Sequence, residues 1–304
     1  MRKRAAFFWF YCLATAIAGA GEADKSTPSS STAIKRDEKT AAEPPVSFDF
    51  FYLPPQWSER VIFYHSFESD LGQPEINLAN AAIRGDKTER IKGFVGYGYR
   101  MPNQYESPNK TDVWLMVTSP HFSLHKPLTA MLWWRLDEPM KEEACFNILA
   151  FTGPGHVSSF VRGKGEWCAL QEPTYISQLY GFPGIRNHNN PWGGRAWFEA
   201  GEWHHTAISV SAAAEIAIYW DGVRREIISA KGRPFQEGEG VNIMPGANWL
   251  YHSMTIDEFI VIDRALTADE IADYVKATRA LAARAFPGRR QYPKSDIKWQ
   301  KTAP

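Results

Sequence analysis

The sequence has 304 residues, of which 44% are hydrophobic and 14% aromatic, so it can bury a core and is neither a disordered nor a collagen-like polymer. Its 20 Pro, 22 Gly and 12 Trp disfavour an all-helical bundle and favour short strands joined by turns. Its 34 basic and 34 acidic residues cancel, and a formal charge of zero supplies no field that would select nucleic acid as a partner.

The N-terminus has the layout of a secretory signal. Three basic residues, 2–4, precede an apolar run over residues 5–18, and small residues occupy positions 18–20. The run is too short to span the roughly 30 Å of hydrocarbon in a bilayer comfortably. We therefore expect residues 1–20 to be removed, which leaves a mature chain with no transmembrane segment that is secreted, periplasmic or at the cell surface.

The cysteines fit that compartment. Cys12 leaves with the signal peptide, and the mature chain keeps Cys145 and Cys168. An even number of cysteines in an oxidising compartment predicts a disulfide between them. The bridge needs Cα atoms within about 7 Å of each other, so two separate buried thiols are the alternative.

The rest of the chain divides into a linker, one domain and a tail. Residues 21–45 are polar and rich in Ser, Thr and Pro, which predicts a disordered linker. The domain, residues 46–285, contains short strand-like segments separated by turn residues, which predicts an antiparallel β-sandwich. Residues 286–304 form a basic tail. The predicted strands cover 61–67, 112–118, 128–136, 145–151, 157–162, 196–199, 204–210, 215–220, 223–229 and 255–262.

The clearest local signal is a hairpin over residues 216–228. Asp221-Gly222 supplies the positive φ angles of a two-residue turn, and this turn fixes the register of the flanking strands. In that register Ile216 opposes Ile227, and one face of the hairpin carries an apolar stripe. The predicted stripe is Ile216, Ile218, Trp220, Val223 and Ile227.

A short C-terminal helix is predicted to begin at Thr267. The Thr267 side chain caps the helix while Glu270 reaches back, as in a capping box. Ile271, Tyr274 and Val275 follow at helical spacing, so the helix is amphipathic and is expected to lie on the sandwich.

Three stretches, taken in order, resemble a known family. They are TAMLWWRLD (129–137), GEWHHTAISVS (201–211) with IYWDGVRRE (218–226), and TIDEFIVIDRALTADEI (255–271). This order of motifs is similar to that of the laminin-G-like jelly rolls of the concanavalin A-like lectin/glucanase superfamily. The segment FYHSFESDL (63–71) looks like the opening strand of the family. The resemblance implies two curved antiparallel sheets packed face to face, with a concave sheet and rim loops open to ligands.

The resemblance also implies candidate chemistry. Laminin-G-like domains often hold a structural Ca²⁺, and Glu68, Asp70 and Asp257 would supply oxygen ligands if the first and closing strands pair. A glucanase of the superfamily would show a Glu-x-Asp-x-x-Glu strand, which this sequence lacks, and Asp257 and Glu258 are adjacent and expected on opposite faces. Catalysis is therefore the less favoured interpretation.

Sugar recognition needs flat aromatic faces with hydrogen-bonding groups beside them. The segment 175–197 supplies this mixture, and its Gly and Pro content predicts an irregular ligand loop. Trp133 and Trp134 are neighbours on a strand, so one is expected in the core and the other facing outward. The predicted ligand residues are Tyr180, Arg186, His188, Asn190, Trp192 and Trp197, with Trp249 and Tyr251 as a second rim cluster.

The sequence thus predicts a secreted module that binds a polysaccharide or glycoconjugate. A polysaccharide hydrolase or lyase of the same superfamily, and a protein-interaction module with a cell-envelope protein as partner, are the two alternatives.

Overall fold

The computed structural model describes residues 53–57, 59–68, 74–85, 89–102, 115–139, 145–153, 156–162, 174–180, 188–191, 198–229, 240–247 and 252–285. The predicted signal peptide, linker and basic tail lie outside these residues, and so does Cys168. Cys145 begins a strand. The domain boundaries and the Cys145–Cys168 disulfide therefore stay predictions.

The described residues form mostly strands. A short 3₁₀ helix (Pro55–Trp57) comes first, and an α-helix, α1 (Ala268–Ala285), comes last. Between them lie β1 (Val61–His65), β2 (Ile76–Asn77), β3 (Ala82–Gly85), β4 (Glu89–Lys92), β5 (Tyr97–Met101), β6 (Leu115–Ser123), β7 (Leu128–Leu136), β8 (Cys145–Thr152), β9 (His156–Arg162), β10 (Thr174–Tyr180), β11 (His188–Pro191), β12 (His204–Val210), β13 (Glu215–Trp220), β14 (Val223–Ser229), β15 (Gly240–Ala247) and β16 (Met254–Ile262).

The strands form two antiparallel sheets. Sheet A has the order β14-β13-β12-β7-β16-β1-β2, with β5 beside β16 and β4 beside β5. Sheet B has the order β11-β10-β9-β8-β15-β6-β3. The first strand β1 pairs with the last strand β16, as the resemblance implied. The predicted two-sheet antiparallel sandwich with a short C-terminal helix is confirmed.

A large apolar core fills the space between the sheets. It contains an aromatic group in which the Phe198 and Trp220 rings stack with centroids 5.0 Å apart, and Trp134 meets Trp220 edge-on at 5.4 Å. Trp134 and Trp220 are almost completely buried. Because strand side chains alternate between faces, the same strands also present a second set of residues to the outer side of each sheet.

On sheet A this outer side is a second apolar layer, which helix α1 covers. Trp133 is fully buried there and stacks on Phe94 with ring centroids 3.9 Å apart. Tyr274 of α1 belongs to the same layer and stacks on Trp57 at 5.4 Å. Trp133 and Trp134 therefore lie on opposite faces as predicted, but the expectation that one of them faces outward is wrong. The helix turns the outer face of sheet A into core.

Helix α1 begins as predicted. The Glu270 N–H donates to Thr267 Oγ1 at 3.3 Å, and the Thr267 N–H donates to Glu270 Oε2 at 2.9 Å. Two hydrogen bonds from Arg264, helped by these capping contacts, lower the pKa of Glu270 to about 2. Within the described part of the chain, no helix has both the length and the hydrophobicity needed to cross a bilayer.

The β13–β14 hairpin has the predicted turn but a different register. Asp221 and Gly222 both have positive φ, and Trp220 pairs with Val223. The register then shifts, so that Ile216 pairs with Ile228 rather than with Ile227. A β-bulge moves every later residue to the other face. The bulge therefore buries Ile228 and leaves Ile227 43% exposed, so Ile228 takes the place of Ile227 in the predicted stripe. Val223 precedes the bulge and is 49% exposed, so it too falls outside the buried stripe.

Candidate functional site

The predicted ligand segment is partly regular. Strands β10 and β11 form an antiparallel hairpin at the edge of sheet B, so the expectation of an irregular loop over 175–197 is wrong for these strands. Backbone hydrogen bonds in the β10–β11 pair override the turn-forming composition of the segment. Tyr180 ends β10, and β11 contains His188 and Asn190. The five other predicted ligand residues lie outside the described residues: Arg186, Trp192, Trp197, Trp249 and Tyr251.

Register separates the predicted ligand residues on this hairpin. His188 pairs with Leu179, and Asn190 pairs with Ser177. Because residues alternate between the faces of a strand, these two positions lie on the opposite face of the sheet from the position of Tyr180. Tyr180 pairs with His156 of β9 on the other neighbouring strand. The structure thus brings His188 and Asn190 together on one face and places Tyr180 on the other.

A row of polar residues crosses sheet B and reaches the position of Tyr180. Asn242 of β15 pairs with Thr118 on one side and with Thr152 on the other, and Thr152 pairs with His156, the partner of Tyr180. Thr118, Asn242 and Thr152, here called the polar row, are partly exposed. The residues that alternate with the row belong to the core between the sheets: Val117, Ile243, Phe151 and Val157. The polar row therefore lies on the outer face of sheet B.

The next row on the same face is less accessible. Ala150 pairs with Met244 and with Ser158, and all three are buried, while Met116 packs against this group. The Ser158 hydroxyl is buried and has no hydrogen-bond partner among the described residues. Of these two rows, the polar row is the one open to a ligand.

Two of the three predicted calcium ligands, Asp257 and Glu68, accept backbone N–H groups in the structure. Asp257 Oδ2 accepts the Phe94 and Val95 N–H groups at 2.6 and 2.9 Å, and Glu68 Oε1 accepts the Tyr97 N–H at 2.8 Å. Both carboxylates thus hold the turn between β4 and β5. No cluster of three or more metal-ligating side chains is present in the described ranges, and Asp70 lies outside them. The described carboxylates therefore do not by themselves form a calcium set, and the ion stays a prediction.

Glu258 lies beside Asp257 at a β-bulge in β16. Its φ is +51°, and its carboxylate accepts the Tyr64 hydroxyl at 2.8 Å, while the register with β7 shifts between Asp257 and Ile260. Tyr64 belongs to the layer under α1, and so do Phe94 and Val95, which bind Asp257. Both carboxylates therefore lie on the helix side of sheet A, and the expectation that they occupy opposite faces is wrong. The period-two rule fails where the bulge inserts a residue.

Burial dominates the electrostatics of this acidic pair. Burial raises the pKa of Glu258 to about 8, against the lowering effect of the Tyr64 hydrogen bond. Burial and the neighbouring Glu258 charge raise the pKa of Asp257 well above its ordinary value. The sequence offered no signal for the burial of this pair, because the bulge depends on contacts between distant segments.

Comparison with known proteins agrees with the architecture. A laminin-G family model, described as the concanavalin A-like lectin/glucanases superfamily, matches residues 109–272. No curated protein sequence matches the chain significantly.

Solved structures share the fold at low sequence identity. The binding domain of Paraclostridial Mosquitocidal Protein 1 has a TM-score of 0.51 and 12% identity over 73% of this chain and 53% of that chain. The binding domain of botulinum neurotoxin DC in complex with SialylT has a TM-score of 0.53 and 11% identity over 73% and 52%. The same domain in complex with rat synaptotagmin II has a TM-score of 0.52 and 11% identity over 72% and 51%. The chain spans about half the length of these binding domains.

Proposed function

The chain belongs to the concanavalin A-like lectin/glucanases superfamily, and from this premise we propose that it is a binding module for a polysaccharide or glycoconjugate. The observation that carries the proposal is the polar row on the outer face of sheet B. Helix α1 covers the outer face of sheet A, whereas Thr118, Asn242 and Thr152 are partly exposed.

The chemistry of the polar row suits a sugar. Threonine hydroxyls and an asparagine amide both donate and accept hydrogen bonds, as sugar hydroxyls do. Tyr180 stands at the end of the row by register, and the predicted aromatic residues Trp192 and Trp197 follow in the adjoining segment. In the proposed complex the row binds hydroxyl groups, and aromatic rings from the β10–β11 region stack on the apolar face of the sugar.

The toxin domains support binding as the general activity. The botulinum neurotoxin DC binding domain was solved both with SialylT and with a protein, rat synaptotagmin II. A protein partner in the cell envelope is thus the second candidate function. A hydrolase or lyase is the third, and incubation with a panel of polysaccharides separates it from a binding module because only an enzyme releases products.

The decisive experiment is a glycan array with variants of the polar row. We expect Asn242→Ala and Thr152→Val to weaken binding by about tenfold each, the effect of losing one or two hydrogen bonds, with the melting temperature unchanged. Trp192→Ala is expected to act in the same way. Lys276→Ala, on the exposed side of α1, is the control. Unchanged binding in all three variants contradicts the proposed site, and a pull-down that retrieves one protein while no glycan binds favours the protein-interaction module.

We also propose that the module works outside the cytoplasm, on the strength of the signal-like N-terminus. Expression of the full chain followed by N-terminal sequencing of the exported product is expected to give a start at residue 21. An unprocessed product retained in the cytoplasm contradicts this part of the proposal.

A further inference from the structure

The β4–β5 hairpin carries an exposed aromatic ring. Tyr97 is 48% exposed, and it is the aromatic member of the four large exposed hydrophobic side chains among those that the structure describes. The Arg90 guanidinium lies over its ring, 4.1 Å from the centroid. Stacking on a sugar requires an aromatic ring that the sugar can reach. The other aromatic side chains of sheet A discussed above are buried, whereas the ring of Tyr97 is accessible.

The residues around Tyr97 share one face of the hairpin. Lys92 pairs with Tyr97, and Arg90 pairs with Tyr99, so all four alternate onto the same side. Tyr99 and Met101 continue this side into the core between the sheets, where both are buried. Tyr97, Arg90 and Lys92 therefore stand where the core-facing side of the hairpin meets solvent.

Two carboxylates hold the turn of the β4–β5 hairpin in place. Three backbone N–H groups of the 94–97 segment donate to the carboxylates of Asp257 and Glu68. Gly96 has φ +66°, and a Cβ at this position would meet Glu68 Oε1. A binding surface fixed before the ligand arrives loses little conformational entropy on binding, so the anchored turn favours recognition at Tyr97.

No described residue takes up the hydrogen-bonding capacity of the Arg90 guanidinium. Within the described residues, Arg90 forms neither an ion pair within 4.0 Å nor a hydrogen bond. Its planar fork matches a carboxylate in two parallel N–H···O bonds. Glu68 senses the charge of Arg90, and the Glu68 carboxylate accepts the Tyr97 N–H. Lys92 adds a second exposed positive charge on the same face.

We propose that the β4–β5 hairpin is a second binding site, specific for the carboxylate of an acidic sugar. The Arg90 fork binds the carboxylate, Lys92 adds positive charge, and the exposed ring of Tyr97 contacts the apolar face of the sugar ring. This site lies on sheet A and is independent of the polar row on sheet B, although a glycan ligand at both sites would fit the proposed function.

Calorimetric titration of the mature chain tests the site. The ligands are trigalacturonic acid and sialyllactose, which carry the carboxylate on two different sugars, with galactotriose and lactose as their neutral counterparts. We expect binding of at least one acidic ligand at least tenfold tighter than that of its neutral counterpart, and about tenfold weaker binding in Arg90→Gln. Arg90→Lys keeps the charge but loses the fork, so it is expected to weaken binding as well. Tyr97→Ala is expected to do the same.

The control is Lys126→Gln, which removes one exposed positive charge from the β6–β7 turn. Equal losses in Arg90→Gln and Lys126→Gln, equal affinity for acidic and neutral ligands, or no acidic binding at millimolar concentration each overturn the hairpin site. Asn242→Ala is expected to leave uronate or sialate binding intact. If Asn242→Ala abolishes that binding and Arg90→Gln does not, the hairpin site is wrong while the function proposed for sheet B stands.

Discussion

Asp221 joins three elements through a single carboxylate at the tip of the β13–β14 hairpin. It accepts the Trp220 indole N–H, the Arg279 guanidinium of α1 and the His205 backbone N–H, each at 2.8 Å. The His204 ring nitrogen lies 2.9 Å away. Burial alone would raise the pKa of Asp221, but His204 and Arg279 lower it to about 2. A residue recognised in the sequence for its turn conformation thus also anchors β12 and the helix.

We expect Asp221→Asn to destabilise the fold by about 2–4 kcal/mol, because the amide keeps the shape of the side chain but loses charge-assisted bonds that are partly buried. The free energy of unfolding from urea titration at pH 7 measures this effect. Asp273→Asn, an exposed acid of α1, is the matched control and is expected to change stability by less than about 0.5 kcal/mol. Equal effects of the two substitutions contradict the anchoring role.

Glu258 makes stability depend on pH in an unusual direction. Its carboxyl has a pKa of about 8 in the folded chain and about 4.3 when unfolded, so the folded state holds the proton more tightly. The resulting stabilisation is complete below about pH 4 and is lost as the pH rises through about 8.

The urea midpoint of the native chain is therefore expected to fall between pH 5 and pH 9, measured in EDTA so that divalent cations do not contribute. Glu258→Gln, which can still accept the Tyr64 hydroxyl, is expected to flatten this fall, because it also removes the charge that raises the pKa of Asp257. Parallel curves for the two proteins over this range show that the acidic pair is not the cause.

At the scale of elements, the sequence predicted the features that depend on neighbouring residues, but not those that depend on contacts between distant segments. The Asp221-Gly222 turn and the Thr267 cap follow from the conformational preferences of a few neighbouring residues, and both are present. The bulges in β14 and β16 insert single residues that no periodic pattern reveals, so the predicted hairpin stripe and the predicted separation of Asp257 from Glu258 both failed.

The hairpin and the helix also meet at one glycine. Gly222 has φ +80°, and a Cβ there would lie 3.2 Å from Ala272 Cα of α1. We expect Gly222→Ala to cost about 2–4 kcal/mol, from backbone strain and from overpacking against the helix. Gly201→Ala separates these two causes, since Gly201 has φ +84° but no atom within 4 Å of the added carbon. Its expected cost is about 1 kcal/mol. Equal unfolding free energies for the two variants would mean that helix contact adds nothing.

At the scale of the whole molecule, the order of motifs along the sequence identified the sandwich, but the candidate site followed only in part. Tyr180 was recognised from composition, and register places it at the end of the polar row. Thr118, Asn242 and Thr152 come from three strands distant in sequence, so no local pattern connects them. Tyr97 and Arg90 were missed because the exposure of an aromatic ring depends on which other segments pack against it. Only the assembled fold shows this.

The position of β16 has a consequence for how the protein is made. The last of the described strands lies inside sheet A, between β7 and β1, and a nascent polypeptide that lacks it has no partner to join these two strands. Long-range pairing of this kind delays folding until synthesis of the domain is finished. The domain is therefore expected to fold after its synthesis rather than during it, because sheet A closes only when its two distant ends meet.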